Sequence, residues 1–247
     1  MDLYENNWLY DLVHNDKAGD AQIRFYQRQI ERFGEPVLEL GCGSGNYLVA
    51  LSNDLQNISG LDSSEEMLEA AGRKADAEGV STDLHIGDMR NFAIEQKFKL
   101  IFAAGNSLQH VLTAEDLKSC FDSVRAHLFP FGRFIVEVFN PSLPLLCRPS
   151  DIRHFIGEYR TENGWVVVTE NVRYDAATQI NHIDWHYKNQ YMKEEQTLSF
   201  QMRQFFPQEL NALFAQNGFR VEAKYGDFDE SEFCGRSPKQ IVVARPQ

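Results

Sequence analysis

Cysteine is scarce and scattered. Cys42, Cys120, Cys147 and Cys234 are the only four in 247 residues, and no two stand in Cys-x-x-Cys spacing. A disulfide framework is therefore not expected; four reduced thiols in a cytosolic protein are. Cations are outnumbered, with 24 Lys and Arg against 36 Asp and Glu and a net charge of −12. Such a surface repels a nucleic-acid backbone and an anionic membrane, so neither is expected as the main partner. No apolar run approaches the roughly 20 residues of a membrane span. Met1 to Asn7 shows no basic stretch leading into an apolar one, so no signal peptide is expected and the expected location is cytoplasmic. Repeats, low-complexity tracts and flexible linkers are also missing. What remains is a 43% hydrophobic chain of a length that suits one α/β domain with an insertion.

Glycine, by contrast, is concentrated where it matters. Val37-Leu-Glu-Leu-Gly-Cys-Gly-Ser-Gly-Asn-Tyr47 begins as the end of a buried strand, turns on Gly41, Gly43 and Gly45, and resumes apolar residues at helical spacing with Tyr47, Leu48, Ala50 and Leu51. A strand, a glycine turn and a helix start open a nucleotide-binding sheet, with backbone N–H groups aimed above the sheet edge. The last glycine of a dinucleotide Gly-x-Gly-x-x-Gly is replaced by Asn46, and no Gly-Lys-Ser/Thr marks a phosphate loop. Gly-x-Gly-x-Gly without a nearby cation fits a ligand that comes close and brings no phosphate, such as S-adenosylmethionine. Cys42, at the expected helix N-terminus, is the thiol whose pKa that position would lower.

The next strands end in acids. Ile58-Ser-Gly-Leu61 leads to Asp62, about 20 residues past the glycines, where a carboxylate holds a ribose diol. Ser63 or Ser64 then caps the following helix; that Asp62 only caps it is the alternative, which the spacing makes the weaker reading, and NAD would use the same acid. Thr82 to Asp88 reads as strand three, with Asp88 at its tip for an adenine amino group and Met89 against the ring, or as a plain Gly-Asp turn. Leu100 to Ala104 is strand four, opening into Gly105-Asn-Ser-Leu-Gln-His110 and then a helix from Thr113 to Leu128 with a capping-box-like start. Phe129 to Gly132 reads as a turn, and Phe134 to Phe139 as strand five. Earlier, residues 1–33 read as two helical stripes broken at Lys17 to Asp20, with Asp20 as N-cap. The rhythm predicts a Rossmann-like, doubly wound, mostly parallel seven-stranded sheet.

After Asn140 the rhythm breaks. Residues 142–206 lack a long amphipathic helix, and Trp165 to Val168, Gln179 to Tyr187 and Thr197 to Arg203 read as antiparallel strands of an insertion. Pro207 to Gly218 is a helix with Pro at its first position, and two closing strands follow at Phe219 to Tyr225 and Gln240 to Ala244. His182, Asp184 and His186 share one face of their strand, but the two histidines stand about 13 Å apart at ~3.3 Å per residue and cannot ligate one ion. Glu137, in mid-strand, needs a partner if it is buried.

Together, Val37–Tyr47, Gly60–Leu68, Gly87–Phe92, Leu100–His110, strand five and the last two strands resemble the class I S-adenosylmethionine-dependent methyltransferases. Within that class, Gly105–His110 resembles the loop of glycine N-methyltransferase-like enzymes. Gly87–Phe92 and the insertion are similar to those of amino-sugar N,N-dimethyltransferases. The Asn/Asp-Pro-Pro-Tyr/Phe loop common in base-modifying nucleic-acid methyltransferases is absent. The resemblance implies methyl transfer from S-adenosylmethionine to a small molecule, at an amine nitrogen. The alternatives are O-methylation of a phenol or acid, a catalytically silent cofactor-binding module, and a dinucleotide oxidoreductase. It implies a cofactor-binding set of Tyr10, Glu39, Gly41, Cys42, Gly43, Gly45, Asp62, Ser63, Met67, Gly87, Asp88, Met89 and Gly105, with Lys17 or Arg24 at the methionine end. Asn106 and His110 are the implied catalytic pair. No metal is expected, since Gly105-Asn-Ser107 offers no carboxylate. Residues 1–141 and 207–247 are expected to form the cofactor domain. Residues 142–206 are expected to form an acceptor-binding cap with Phe155, Tyr159, Trp165, Trp185, Tyr187 and Tyr191 as candidate pocket aromatics, or else a homodimer surface.

Overall fold

The computed structural model describes residues 7–14, 18–162, 164–189 and 194–247, and only the backbone of residues 7, 8, 10 and 14. Lys17 and Tyr191, and the side chain of Tyr10, therefore lie outside the described residues. The chain opens with helices α1 (Asn7–His14) and α2 (Asp20–Phe33). The N-cap of α2 is Gly19, not Asp20. Asp20 sits one position later, where its charge faces the positive end of the helix dipole. The alternation then runs β1 (Val37–Leu40), α3 (Leu48–Ser52), β2 (Ile58–Asp62), α4 (Glu65–Glu78), β3 (Asp83–Ile86), β4 (Phe98–Ala103), α5 (Ala114–His127) and β5 (Leu128–Phe139). Caps match local chemistry: Ser64 Oγ accepts Met67 N–H at the start of α4, and Thr113 Oγ1 accepts Asp116 N–H at the start of α5.

Past β5 come the four-residue α6 (Leu143–Leu146), then strands β6 (His154–Thr161), β7 (Gly164–Asp175), β8 (Ile180–Lys188) and β9 (Gln196–Arg203), then α7 (Pro207–Gln216), β10 (Phe219–Tyr225) and β11 (Lys239–Pro246). Seven strands form the main sheet in the order β10-β11-β5-β4-β1-β2-β3. Its β1, β2, β3, β4 and β5 pair in parallel, while β11 runs antiparallel to both β5 and β10.

Side-chain alternation along the central strands sorts the core into two layers. Leu38, Leu40, Ile101, Phe134 and Val136 pack against Phe121 and Val124 of α5 and Phe214 of α7. Val37, Leu100, Phe102 and Ile135 pack against Phe25, Tyr26 and Ile30 of α2 and Leu48 and Leu51 of α3. Helices therefore cover both faces, as the doubly wound reading requires. Each such Phe, Leu or Ile contributes on the order of 1.5–3 kcal/mol on burial, so the two layers dominate the fold's stability.

Two local expectations are corrected. Phe129 to Gly132 is not a free turn: β5 begins at Leu128, and its register with β4 jumps from Phe98↔Leu128 to Leu100↔Arg133. The four residues bulge out of a continuing strand, which bends it. The insertion sheet has four strands, in the order β6-β7-β8-β9, where three were expected. The missed strand, β6, is an edge whose His-Phe-Ile-Gly-Glu-Tyr-Arg-Thr sequence lacks a clean apolar face; Phe155 is 67% exposed.

Candidate active site

The carboxyl ends of β1, β2 and β4 and one face of the insertion sheet enclose a cavity of about 1300 Å³. Its floor is built from the loops that follow these strands. Gly41 (φ +66), Gly43 (φ +53) and Gly45 (φ +81) all adopt left-handed backbone. A Cβ on Gly41 would stand 2.9 Å from Ser107 Cβ, and one on Gly45 3.0 Å from Ala71 Cβ. Those two glycines let the loop press against its neighbours. Gly43 differs: a Cβ there would meet nothing within 4 Å. It faces the cavity, and its missing side chain leaves room for a ligand.

Asp62 shapes this loop from the tip of β2. One oxygen accepts Gly43 N–H at 2.8 Å and the other accepts Ser64 N–H at 2.9 Å. Burial pushes the Asp62 carboxyl above the usual carboxylate range, and the backbone donors act in the opposite direction. Ser64, not Asp62, caps α4, and each Asp62 oxygen retains a second acceptor site, so holding the loop and binding a ligand are compatible. Asp88 carries a neighbour the sequence reading passed over. Arg90 donates to it from Nε at 2.9 Å and also reaches Asp116 at 3.3 Å. That guanidinium holds the Asp88 carboxyl below the usual range.

The loop after β4 forms the far side of the floor. Gly105 (φ +59) and Asn106 (φ +68) are both left-handed. For Asn106 this is a conformation that persists only where surrounding contacts impose it. The Asn106 side chain lines the cavity, and its Oδ1 is buried without a hydrogen-bond partner. Ser107 Oγ lies 2.8 Å from Ala104 O and 3.2 Å from Gly41 O, tying the β4 loop to the glycine turn. From beneath, Glu137 Oε2 accepts Gly105 N–H at 3.3 Å and Tyr26 O–H at 3.4 Å. Glu137 is fully buried and meets the need for a partner through Lys239 Nζ, 2.5 Å from Oε1. His110 donates from Nδ1 to Gln201 O of β9 at 3.1 Å, since a carbonyl can only accept. In the neutral ring this leaves Nε2 as the basic nitrogen.

Of the sequence-derived set, Gly41, Gly43, Asp62, Ser63, Gly87, Asp88, Met89, Gly105, Asn106 and His110 line the cavity. Glu39, Cys42, Gly45 and Met67 do not. Glu39 is buried on the α2 side of β1, with Oε2 unpartnered; its carboxyl is pushed well up, by burial first and by Asp62 next. Cys42 corrects an expectation. It is 5% exposed and lies well before α3, which begins only at Leu48, so no helix N-terminus acts on it; burial, followed by Glu39 and Asp62, raises its thiol pKa. Arg24 is exposed, pairs with Asp20 at 3.8 Å and does not reach the cavity.

The roof is the inner face of the insertion sheet. Glu170 and Val172 of β7, Asn181, Ile183 and Trp185 of β8, and Phe200 and Met202 of β9 alternate along their strands and point into the cavity. The expected pocket aromatics divide. Trp185 lines the cavity, whereas Tyr187 packs beside Leu9 of α1 and donates to Leu9 O at 3.4 Å, and Trp165 is 54% exposed. On the opposite face His182, Asp184 and His186 bond separately to Gln201, Ser199 and Thr197 of β9.

A mostly parallel sheet with a crevice above its carboxyl ends, floored by a glycine loop and an acid at the next strand tip, is the arrangement in which open α/β sheets take their ligands. Residues 37–132 match the family described as methyltransferase domain. That stretch of the chain is similar to methyltransferase domains, and the fold is Rossmann-like. Among curated relatives, the dTDP-3-amino-3,6-dideoxy-alpha-D-glucopyranose N,N-dimethyltransferase of Streptomyces fradiae is 31% identical over 134 residues, 52% of this chain and 51% of the relative. The chain spans about half the length of the first curated relatives it matches. Among solved structures, an S-adenosylmethionine-dependent methyltransferase from Clostridium acetobutylicum superposes with a TM-score of 0.79 at 18% identity over 98% of both chains. The CcbJ methyltransferase of Streptomyces caelestis superposes at 0.78 with 24% identity, over 94% of this chain and 98% of that one. No helix among the described residues is long and apolar enough to cross a membrane.

Proposed function

We propose that the protein transfers a methyl group from S-adenosylmethionine to a small-molecule acceptor, at an amine nitrogen, with residues 142–206 acting as the acceptor-binding cap. The observation that carries this reading is the shared cavity: a glycine cradle and Asp62 on one side, apolar and polar cap residues on the other, and Asn106 between them. The N,N-dimethyltransferase relative supports the choice of nitrogen. The residues fit the cofactor. Gly43 offers a space that any Cβ would fill, and Asn106 Oδ1 is a buried acceptor awaiting a donor.

Asp62 would hold the ribose hydroxyls, Met89 the adenine face, and the loop from Gly41 to Gly45 the methionine moiety. When bound, S-adenosylmethionine supplies a methyl group already activated on a sulfonium. The protein's part is therefore alignment and exclusion of water. Asn106 accepts a hydrogen bond from the acceptor nitrogen and fixes its approach. Glu137 and Lys239 hold the backbone that presents Asn106. The cap closes the cavity above, with His110 joined to β9 so that loop and roof keep one register.

Asn106→Ala is expected to lower turnover on the order of a hundred-fold while changing S-adenosylhomocysteine affinity less than about three-fold, because misaligned attack costs rate and not cofactor grip. Single-turnover kinetics with titration checks both; equal losses would remove Asn106 from the acceptor side. A second reading, transfer to a hydroxyl oxygen, is favoured by His110, an imidazole that lines the cavity. His110→Gln separates the two. An acid-side pH limb of the rate that disappears in the variant indicates an oxygen acceptor, and an unaltered profile a nitrogen one.

A further inference from the structure

The cap places one carboxylate on the cavity wall. Glu170 lines the cavity from β7, flanked by Val172 two residues on and facing Trp185 across the β7/β8 ladder. Trp185 Nε1–H donates to its Oε2 at 3.3 Å. Trp185 in turn packs edge-on against Phe200 of β9, with ring centroids 5.0 Å apart. The other two acids of the cavity are already engaged: Asp62 by the backbone of Gly43 and Ser64, Asp88 by Arg90. Among the described residues, no Lys, Arg or His forms an ion pair with Glu170. His154, its cross-strand neighbour on β6, has a buried Nε2 without a partner. Arg148 and Arg236, which also line the cavity, stand exposed on other loops.

Glu170 thus sets a negative charge beside two aromatic rings and, among the described residues, without an ion-pair partner, a setting that favours a cationic ligand over a neutral isostere. We infer that Glu170, Trp185 and Phe200 form an ammonium-binding subsite on the cap that holds a charged nitrogen of the acceptor, distinct from the neutral nitrogen whose lone pair takes the methyl group. This rests on the reading of the cavity as an acceptor site, and it narrows the acceptor class from small molecules to amines that also carry a charged nitrogen. The role is recognition; no proton transfer is assigned to Glu170.

The test uses the full chain and a matched pair of probes, choline and 3,3-dimethylbutan-1-ol, which differ in a quaternary nitrogen against a quaternary carbon. The indole N–H resonance of Trp185 in ¹⁵N-labelled protein, assigned through Trp185→Phe, reports binding at the site. Choline is expected to bind roughly ten-fold tighter than the alcohol, and Glu170→Gln to remove that preference. Equal affinities in the wild-type protein, or an undiminished preference in Glu170→Gln, would overturn the proposal. If Glu170→Gln fails to fold, salt decides: choline affinity falls with ionic strength and the alcohol's does not, and identical salt responses overturn the proposal. Titration with S-adenosylhomocysteine separates this idea from the broader one. Normal cofactor binding without cation preference sinks the ammonium site alone. Cation preference without cofactor binding leaves the subsite standing and sinks the methyl-transfer reading.

Discussion

Gly43→Val will abolish cofactor binding while leaving the protein folded. The residue sits at φ +53, where an L side chain costs on the order of 1–2 kcal/mol. That strain is local, because a Cβ at Gly43 meets no protein atom within 4 Å. The harm falls on the ligand: a branched side chain would occupy the space above the glycine turn. Affinity for S-adenosylhomocysteine should fall on the order of a hundred-fold or more. Gly79 supplies the control. It caps α4 at φ +69, also with nothing within 4 Å of its Cβ, and it does not line the cavity. Gly79→Val bears the same backbone strain and should bind normally. Calorimetric titration of both variants decides; equal affinities in the two would reduce the Gly43 turn to a structural device.

Lys239→Met should cost the most stability of any single change near the site. Glu137 is 0% exposed, and Lys239 Nζ is the cation on its Oε1. Removing the lysine leaves a buried charge with, among the described residues, Tyr26 O–H and Gly105 N–H as partners. Breaking a buried pair from one side costs about 3–5 kcal/mol, which for a chain of this size lowers Tm by roughly 6–20 °C. Pairing it with Glu137→Gln removes the stranded charge and should restore much of the loss. A Tm shift below about 2 °C for Lys239→Met in thermal denaturation would contradict the assignment. The same variant should also slacken the Gly105-Asn106 backbone, because Glu137 anchors Gly105 N–H.

The parts of the site that were legible in the sequence are those written as local spacing. Gly41 to Gly45 follow a buried strand, Asp62 ends the next one, and Gly105-Asn106 ends the fourth, so chain order alone brings them to one edge of the sheet. The unread parts depend on partners far away in the chain. Glu137 announces a need for a counter-ion, but Lys239, 102 positions later, is identified only by the β5/β11 register. Arg90, two residues past Asp88, is near enough in sequence to pair with it, a structural use of the carboxylate that competes with a ligand role. At Cys42 burial decides the thiol, and α3 starts only at Leu48. The cap was read as strands from its apolar alternation, yet which aromatics face inward depends on register and on where α1 lies. Hence Trp185 reaches the cavity while Tyr187, on the same face, seals against Leu9. Glu170 carries no sequence signal at all; only the cross-strand row with Trp185 makes it conspicuous.

The most direct test of the central claim, that the loops after β1, β2 and β4 seat S-adenosylmethionine beneath the cap, is a crystal structure of the chain grown with saturating S-adenosylhomocysteine. The account predicts density with the ribose at Asp62, the adenine beside Met89, the amino-acid tail against Gly41 and Gly43, and the sulfur turned toward Asn106. A cavity without the ligand at saturation, or the ligand bound elsewhere on the chain, would contradict it.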